Sequence, residues 1–413
     1  MSRSQDLLAR YERSLIGVFG VPQLVLARGD GCYVWDSDGN RYLDLLGGIA
    51  VNTLGHNHPA IVAAVSKQAS EMLHLSNFFT SPAQVELAER LVTLAGAPDG
   101  SGVFFCNSGA EAIEAAIKIS RRTGRTHLVA AEGSFHGRTT GALALTSKEA
   151  YRSPFEPLLP EVTFVPYNDV DALRTAVTTD TAAIVLEPIQ GEGGVVPASD
   201  AYLRAARQVA DETGALLVLD EIQTGIARTG DWFAVQHTGS GGADPIRPDV
   251  MTLAKGLGGG VPIGAVVAFG ERVRGLLTPG QHGTTFGGNP LAAATALAVL
   301  DQIEDGGLLG HVRAVGDHLA AAVEGLGDPR IQQVRGRGLL RAIVLTEDLA
   351  PALATAAREA GFIINPVAPK AIRLAPPLII TAEQLDTFVV ALPGLLDTAQ
   401  QSTRTRENPG ARP

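Results

Sequence analysis

Lys255 is the residue whose surroundings in the sequence most clearly suggest chemistry. It follows the apolar run in "DVMTLA", precedes "GLGGG", and is one of five lysines in the chain. An ammonium at the end of a buried strand loses on the order of several kcal/mol to desolvation. A covalent bond between its amine and an aldehyde cofactor would remove that charge. The alternatives are a lysine that reaches solvent and a phosphate-loop lysine, and the sequence lacks the pattern G-x-x-x-x-G-K-[ST] that the second requires.

Asp220 and Glu221 form an acidic pair at the end of a second apolar run, in "LLVLDEIQTG". A carboxylate fixed at a strand end could keep a pyridine nitrogen protonated, so that the ring accepts electrons from a carbanion. Glu221 would then only orient the turn. A lone aspartate at a strand end is otherwise a helix N-cap or a salt-bridge partner, and the presence of Lys255 favours the chemical role.

Ser108, Gly109 and Ala110 carry the chain from a predicted strand into a predicted helix, in "FFCNSGAEAIEAA". The free N–H groups and the dipole of a helix start could bind a phosphate. Ser108 and Glu111 also have the S-x-x-E spacing of a capping box, which is the purely structural alternative. Each feature alone is weak, and the presence of the lysine, the aspartate and this turn together favours the chemical interpretation.

Seven short apolar runs separated by helix-like segments must position these residues. The runs are "GVFFC", "HLVAA", "VTFVP", "AAIVLEP", "LLVLD", "DVMTLA" and "GAVVAFG". Continuous apolarity is typical of strands covered on both faces, so the sequence predicts an α/β fold with a large, mostly parallel sheet. We assign residues 51–300 to this large domain and residues 1–50 and 301–398 to a smaller α+β domain built from both chain ends. The polar tail, residues 399–413, is predicted to be disordered.

The bulk composition argues against several classes of function. A formal net charge of −10, a pI near 5.4 and the lack of a Lys/Arg block argue against nucleic-acid binding. Cys32 and Cys106 have neither zinc-finger nor C-x-x-C spacing, which fits a reducing compartment and predicts no metal site. The sequence start lacks the apolar core of a secretory signal, and the two longest uncharged stretches are broken by Gly and Pro. We therefore expect a cytoplasmic protein without a membrane span.

The ordered motifs of the chain resemble those of the class III, fold-type I, pyridoxal-phosphate aminotransferases, and among these the acetylornithine aminotransferase group. The resemblance covers roughly residues 15–395. The matching pieces are "LDLLGGIAVNTLGHNHP", "FFCNSGAEAIEAAIK", "GSFHGRT", "LEPIQGEGGVVP", "LVLDEIQTGIARTG", "DVMTLAKGLGGGVPIGA", "HGTTFGGNP" and "RLAPPLII". So many pieces in family order are far more specific than any one of them.

The resemblance implies pyridoxal 5′-phosphate as the cofactor and assigns its contacts. Lys255 would be the residue that binds it covalently, Asp220 the partner of the pyridine nitrogen and Gln223 a contact to the phenolic oxygen. The turn at Ser108, Gly109 and Ala110 would hold the phosphate. Phe135 would stack on the ring, and Thr285 would reach the phosphate of the neighbouring subunit, which implies a homodimer with shared sites. Without the resemblance, Phe135 would be a core residue and Thr285 a turn residue.

Three charged residues would bind the substrates, because acetylornithine, glutamate and 2-oxoglutarate all carry carboxylates and a guanidinium binds these in a bidentate manner. The resemblance implies that Arg138 holds the α-carboxylate of acetylornithine or the distal carboxylate of glutamate. Arg373 would hold the α-carboxylate of glutamate. When acetylornithine is bound, Glu192 would replace that carboxylate as the partner of Arg373. The competing interpretation is a permanent structural ion pair between Glu192 and Arg373.

Gly48 stands where ornithine-specific relatives have a bulky tyrosine, which leaves room for an acylated amine. Phe19 and Thr284 are weaker candidates for the same acyl pocket. Thr284 and Phe286 depart from the Ser and Tyr of many relatives, so this side of the pocket is expected to differ slightly.

The implied reaction is transamination between N-acetylornithine and 2-oxoglutarate, a step of arginine biosynthesis. Related enzymes act on ornithine, succinylornithine, succinyldiaminopimelate or 4-aminobutyrate, and these remain the alternatives. An aminomutase or decarboxylase fits less well, because the proposed exchange at Arg373 suits two alternating substrates. A binding protein without turnover would leave Arg138 and Arg373 without a purpose, and a dinucleotide enzyme would need a G-x-G-x-x-G turn that is missing.

Overall fold

The structure is a computed structural model that describes residues 2–239, 242 and 244–407. Its largest sheet among these residues has seven strands, in the order Gly102–Cys106, Gly264–Ala268, Val250–Leu253, Leu216–Asp220, Thr181–Leu186, His127–Ala131 and Val162–Val165. Six of these strands run in the same direction, and Gly264–Ala268 runs antiparallel to them. The predicted α/β fold with a mostly parallel sheet of seven strands is therefore confirmed.

Both faces of this sheet are covered, which explains the continuous apolarity of its strands. Leu217 and Leu219 belong to one buried cluster, whereas Leu216 and Val218 belong to another on the opposite face. Successive strand residues point to opposite faces. Every residue of Leu216–Asp220 must therefore be compatible with burial, including the aspartate at its end.

Helices surround the sheet, and their ends follow local sequence signals. Asp200–Thr213, for example, begins after Ser199, whose side chain accepts a hydrogen bond from Tyr202 N, and ends at Gly214 in the left-handed conformation. The α-helices of the described residues are Arg3–Ser14, Gly47–Ala50, Pro59–Glu71, Pro82–Leu94, Gly109–Arg121, Thr140–Ala144, Glu149–Arg152, Val170–Ala176, Asp200–Thr213, Gly270–Arg274, Pro290–Asp305, Leu308–Gly325, Ala350–Glu359 and Ala382–Glu407. Short 3-10 turns are Ser153–Phe155, Ala234–Gly239 and Lys255–Gly258.

Smaller sheets are built from the two ends of the chain. One has the strands Leu26–Asp30, Tyr33–Asp36, Arg41–Asp44 and Phe362–Ile363, and the last two pair in parallel. An antiparallel sheet has the order Ile331–Arg337, Leu340–Leu345, Ala371–Leu374 and Asn365–Ala368. The short strands Ile189–Gln190 and Val196–Pro197 form a hairpin. We propose that the smaller domain starts after residue 305, because a boundary at residue 300 would cut the helix Pro290–Asp305.

The predicted disorder of residues 399–413 is wrong for residues 399–407, which continue the helix Ala382–Glu407. Leu385, Phe388, Leu392, Leu396 and Ala399 are all fully buried along this helix. Their spacing of three and four residues places them on one helical face. Packing of that face holds the helix, and the polar residues after it continue the same hydrogen-bonded ladder. Residues 408–413 lie outside the described part of the chain.

Across the residues that the structure describes, we find no helix whose length and apolarity would allow it to cross a membrane.

Candidate active site

The residues predicted to carry the chemistry lie close together at one edge of the large sheet. Asp220 ends its strand, Lys255 follows the neighbouring strand, and Ser108 follows the strand that pairs with Gly264–Ala268. These strand ends surround a cavity of about 440 Å³. Eight of the residues predicted for the site line it: Ser108, Gly109, Ala110, Phe135, Arg138, Asp220, Gln223 and Lys255.

Asp220 is held in place by a buried histidine that sequence analysis missed. Its Oδ2 lies 2.7 Å from His136 Nδ1, and its Oδ1 accepts hydrogen bonds from Thr252 Oγ1 and Ile222 N, both at 3.1 Å. Burial alone would lower the pKa of His136, but the hydrogen bond and charge of Asp220 outweigh it and raise the pKa. Asp220 is therefore paired with a histidine whose cationic form is favoured, and its carboxylate is fixed at the cavity wall.

Glu221 points away from the cavity and has a different role. Its side chain accepts hydrogen bonds from Val235 N at 2.8 Å, from Ala234 N at 3.0 Å and from the Thr224 hydroxyl. Glu221 is 1% exposed, and burial raises its pKa to about 7. The strand thus ends in two carboxylates because one faces the cavity and the other anchors the loop that follows.

Lys255 has an unusual backbone and an unusual amine. Its φ of 42° lies in the left-handed region, which non-glycine residues adopt rarely, and backbone strain of this kind is often found at functional sites. Burial, helped by the charge of Arg373, lowers its pKa to about 8, although Glu192, Asp220 and Glu187 act in the opposite direction. Near neutral pH roughly a tenth of this amine would therefore be neutral and able to accept a proton, a far larger share than for an ordinary lysine.

The turn at Ser108 combines the structural and the chemical interpretations. Glu111 N donates to Ser108 Oγ at 3.2 Å, so the serine caps the helix Gly109–Arg121. The Glu111 carboxylate accepts from Asn107 N and Asn107 Nδ2, both at 2.8 Å, so only the serine half of the predicted capping box forms. The N–H groups of Gly109 and Ala110, the first two residues of the helix, have no acceptor within the helix, and both residues line the cavity. A Cβ on Gly264 would lie 2.5 Å from the Ser108 carbonyl oxygen, so the glycine allows the adjacent strand to approach this turn closely.

Phe135 lines the cavity and is tied to a second acidic residue that the sequence did not single out, Glu187. Phe135 N donates to Glu187 Oε1 at 3.0 Å, and Gly191 N donates to Glu187 Oε2 at 3.2 Å. Burial raises the pKa of Glu187 to about 7, with His136 lowering it and Asp220 raising it further. Glu187 therefore connects the loop of Phe135 with the hairpin turn that carries Glu192.

Arg373 lies beside the cavity at the centre of a hydrogen-bonded group. Its Nη1 donates to Glu192 Oε1 at 2.5 Å and to Gln223 Oε1 at 2.9 Å, and its Nη2 donates to Asn365 Oδ1 at 2.7 Å. The guanidinium is 1% exposed, whereas the Glu192 side chain is 36% exposed. Burial opposes ionisation of Glu192, but the charge of Arg373 and its hydrogen bond hold the pKa below the ordinary value. Glu192 is thus the more solvent-accessible partner of the pair.

Arg138 lies at the exposed side of the cavity, and its position depends on an aromatic residue that sequence analysis also missed. Its guanidinium carbon lies 3.6 Å from the centre of the Tyr151 ring and 5.8 Å from that of Phe135. Stacking of this kind orients the planar cation. Arg138 is therefore held over the cavity while its N–H groups stay available.

Besides Arg373 and Glu192, four predicted residues do not line the cavity of this chain. Thr285 is exposed, and Thr284 accepts a hydrogen bond from the cavity residue Asn107 at 2.9 Å through its hydroxyl. Phe19 is 89% exposed, and Gly48, with φ of 64°, is exposed next to Asn52. Their predicted roles in phosphate binding and in the acyl pocket stay predictions.

Similar proteins identify the family. A family model described as aminotransferase class-III matches residues 19–396. The acetylornithine aminotransferase of Mycobacterium leprae (strain TN) is 55% identical over 390 residues, which cover 94% of this chain and 95% of that protein. The acetylornithine aminotransferase of Streptomyces coelicolor is 54% identical over 400 residues, which cover 97% of each chain.

Solved structures agree with this fold. The ornithine aminotransferase of Toxoplasma gondii ME49 superimposes with a TM-score of 0.90 at 31% identity and covers 97% of both chains. The acetylornithine aminotransferase of Elizabethkingia anophelis gives a TM-score of 0.82 at 33% identity, covering 96% of this chain and 99% of that one. The chain belongs to the class III aminotransferases, which have the fold-type I architecture and use pyridoxal 5′-phosphate as their cofactor.

Proposed function

We propose that this enzyme transfers the δ-amine of N-acetylornithine to 2-oxoglutarate, giving N-acetylglutamate 5-semialdehyde and glutamate, as a step of arginine biosynthesis. The observation that carries the proposal is the pair of a buried Arg373 and a partly exposed Glu192 beside the cavity. The names of the relatives at 54–55% identity support the choice of substrate.

The cavity residues fit pyridoxal 5′-phosphate. Asp220 offers a buried carboxylate for a pyridine nitrogen, the helix start at Ser108 offers N–H groups for a phosphate, and Lys255 offers an amine of lowered pKa for an aldehyde. Gly109 keeps the turn open, since a Cβ there would lie 2.8 Å from Ile222 Cδ1 at the cavity wall. When bound, the cofactor supplies an electron-accepting ring that stabilises negative charge on the substrate carbon.

Lys255 has two roles in the proposed mechanism. Its amine would hold the cofactor through a covalent bond to the aldehyde carbon. Once free, the same amine would serve as the base that takes a proton from the δ-carbon of the substrate and later returns one. Its lowered pKa suits both roles, because a neutral amine is the nucleophile and the base. Asp220, held by His136, would keep the pyridine nitrogen of the cofactor protonated.

Arg373 and Glu192 allow one site to accept two substrates. N-acetylornithine has no carboxylate near its δ-amine, so Arg373 keeps Glu192 as its anionic partner during this half-reaction. Glutamate and 2-oxoglutarate bring an α-carboxylate, and Glu192 then moves toward solvent, where its side chain is already partly exposed. A buried arginine without an anion would cost several kcal/mol, which is why the exchange of partners is required. Arg138 binds the carboxylate that both substrates have at the other end.

The enzyme is further proposed to act as a cytoplasmic homodimer in which Thr285 of one subunit binds the phosphate held by the other. Several large apolar side chains of the described chain are strongly exposed: Ile16 at 85%, Phe19 at 89%, Phe78 at 93%, Phe79 at 72% and Phe286 at 58%. Exposed aromatic residues in this number are typical of an interface. Phe286 directly follows Thr285, so burial of this surface by a second copy would place Thr285 next to it. We expect no nucleic-acid or membrane partner.

Product analysis tests the proposal. Purified holoenzyme is incubated with N-acetylornithine and 2-oxoglutarate, and both products are quantified while each substrate is varied. We expect equal amounts of glutamate and the semialdehyde, with the parallel reciprocal plots of a ping-pong reaction. Intersecting plots would contradict a single alternating site, and formation of glutamate only from ornithine or 4-aminobutyrate would transfer the assignment to that amine.

A further inference from the structure

Gln223 makes an unexpected contact for a residue assigned to the cofactor. Its Oε1 accepts a hydrogen bond from Arg373 Nη1 at 2.9 Å, and the residue is 7% exposed. A guanidinium has only donors, so this bond fixes which end of the amide is the oxygen. The NH₂ group of Gln223 must therefore face acceptors elsewhere.

Two acceptors could pair with this NH₂ group in the enzyme with its cofactor bound. One is Glu192, whose pKa is held low mainly by Arg373 and in part by the Gln223 amide, against the effect of burial. The other would be the phenolic oxygen of the cofactor, the contact that the resemblance implies for Gln223, which lines the cavity together with Asp220 and Lys255. A single amide thus lies between the carboxylate-binding arginine and the cofactor.

The protein confines this amide. The backbone at Gly191 packs so closely against it that a Cβ on Gly191 would overlap the Gln223 oxygen and lie 2.5 Å from its nitrogen. Gly191 is in turn fixed by its hydrogen bond to Glu187 at 3.2 Å. The amide therefore has little room to rotate away when its partners change.

We propose that Gln223 is a positioning residue that couples the Glu192–Arg373 pair to the cofactor, so that the cofactor's acid–base behaviour depends on which anion Arg373 holds. This inference rests on the proposed function of Arg373 and Glu192. Hydrogen bonds that share one group polarise each other. When Glu192 leaves Arg373, the guanidinium and the NH₂ group of Gln223 both lose a partner, and the donor strength of that NH₂ group toward the phenolic oxygen changes. Through Gln223, the anion bound at Arg373 would therefore change the pKa of the cofactor.

A double-mutant cycle tests the coupling between Glu192 and Gln223. The cofactor's absorption is the measured quantity, and no amine substrate is added. The pH midpoint of the cofactor's absorption change is measured in holoenzyme with the unmodified sequence, with Glu192→Gln, with Gln223→Leu and with both changes. Residues in direct contact typically couple by ~0.5–3 kcal/mol. We expect the Glu192→Gln shift to differ by at least ~0.5 pH units, about 0.7 kcal/mol, between the two backgrounds.

Matched variants make the result decisive. Gln236→Leu removes an amide that binds Leu94 O at 2.7 Å and does not line the cavity, so the Glu192→Gln shift should be unchanged in that background. Gln223→Asn replaces the leucine variant if that variant loses its cofactor, because the shorter amide cannot span both partners. Equal shifts in all backgrounds, within ~0.2 pH units, would overturn the coupling. Because no amine is added, this outcome is independent of whether acetylornithine is the preferred substrate.

Discussion

Replacement of His136 by leucine is expected to slow the chemistry without removing the cofactor. The histidine is fully enclosed, and its Nδ1 lies 2.7 Å from Asp220 Oδ2. A hydrogen bond to a charged group contributes ~1.5–3 kcal/mol. Asp220 keeps its neutral donors, Thr252 Oγ1 and Ile222 N, so the ring is still bound but less firmly protonated. If the whole free energy of this hydrogen bond stabilises the transition state, its loss lowers the single-turnover rate by ~10- to 150-fold.

The assay compares single-turnover rates at saturating amine, after the cofactor content of each variant has been measured by absorption. His127→Leu is the matched control, because this histidine begins a strand of the same sheet at the end away from the cavity, and its ring contacts Thr181 Oγ1 and Thr163 Oγ1, both at 2.9 Å. The control should retain the unmodified rate, and His136→Gln should recover part of it because an amide can still donate to Asp220. A fully loaded His136→Leu variant with a rate within about twofold of the unmodified enzyme would refute the role of His136.

Three further predictions follow from the other residues. Lys255→Ala should reduce turnover by at least ~10³-fold, measured by glutamate formation, and retained turnover would refute its role as nucleophile and base. Arg138→Ala should raise the KM of N-acetylornithine and of 2-oxoglutarate by up to ~10- to 150-fold, whereas Arg174→Ala, which removes a distant bond to Gln208, should change neither. Burial raises the pKa of Glu221 from 4.5 to about 7 in the folded state, so the protonated carboxyl stabilises the fold. This stabilisation is fully present below pH 4.5 and is lost as the pH rises through 7. The free energy of unfolding, measured with denaturant, should therefore fall less between pH 5 and 8 for Glu221→Gln than for the unmodified chain. Parallel plots of unfolding free energy against pH would argue against this assignment.

The sequence was sufficient for the parts of the site that lie next to strand ends. Lys255, Asp220 and Ser108 follow apolar runs directly, and the carboxyl ends of strands in such a sheet lie at the same edge, so their convergence could be predicted. Their partners could not be predicted by the same argument. His136 and Asp220 are 84 residues apart, and no spacing connects them. A histidine beside Phe135 in "GSFHGR" was the available signal for this pair.

Three other features of the structure could not be predicted from the sequence, each for a physical reason. Glu187 was present in the quoted motif "LEPIQGEGG", but its two backbone partners depend on how separate loops pack. The composition of residues 399–407 is polar, and only the buried face of the preceding helix turns explains why they are helical. Thr285 is exposed in a single chain, so its predicted role depends on a second copy.

The most direct test of the proposed specificity is a single-turnover comparison of amines. Holoenzyme is mixed with N-acetylornithine, ornithine or 4-aminobutyrate, and the rate of the cofactor's absorption change is recorded under the same conditions. We predict that N-acetylornithine reacts faster than each of the others by ~100-fold or more, which corresponds to about 2.7 kcal/mol of transition-state preference. A faster reaction with ornithine or 4-aminobutyrate would contradict the proposed substrate and the argument from Gly48, while the family and the cofactor would stand.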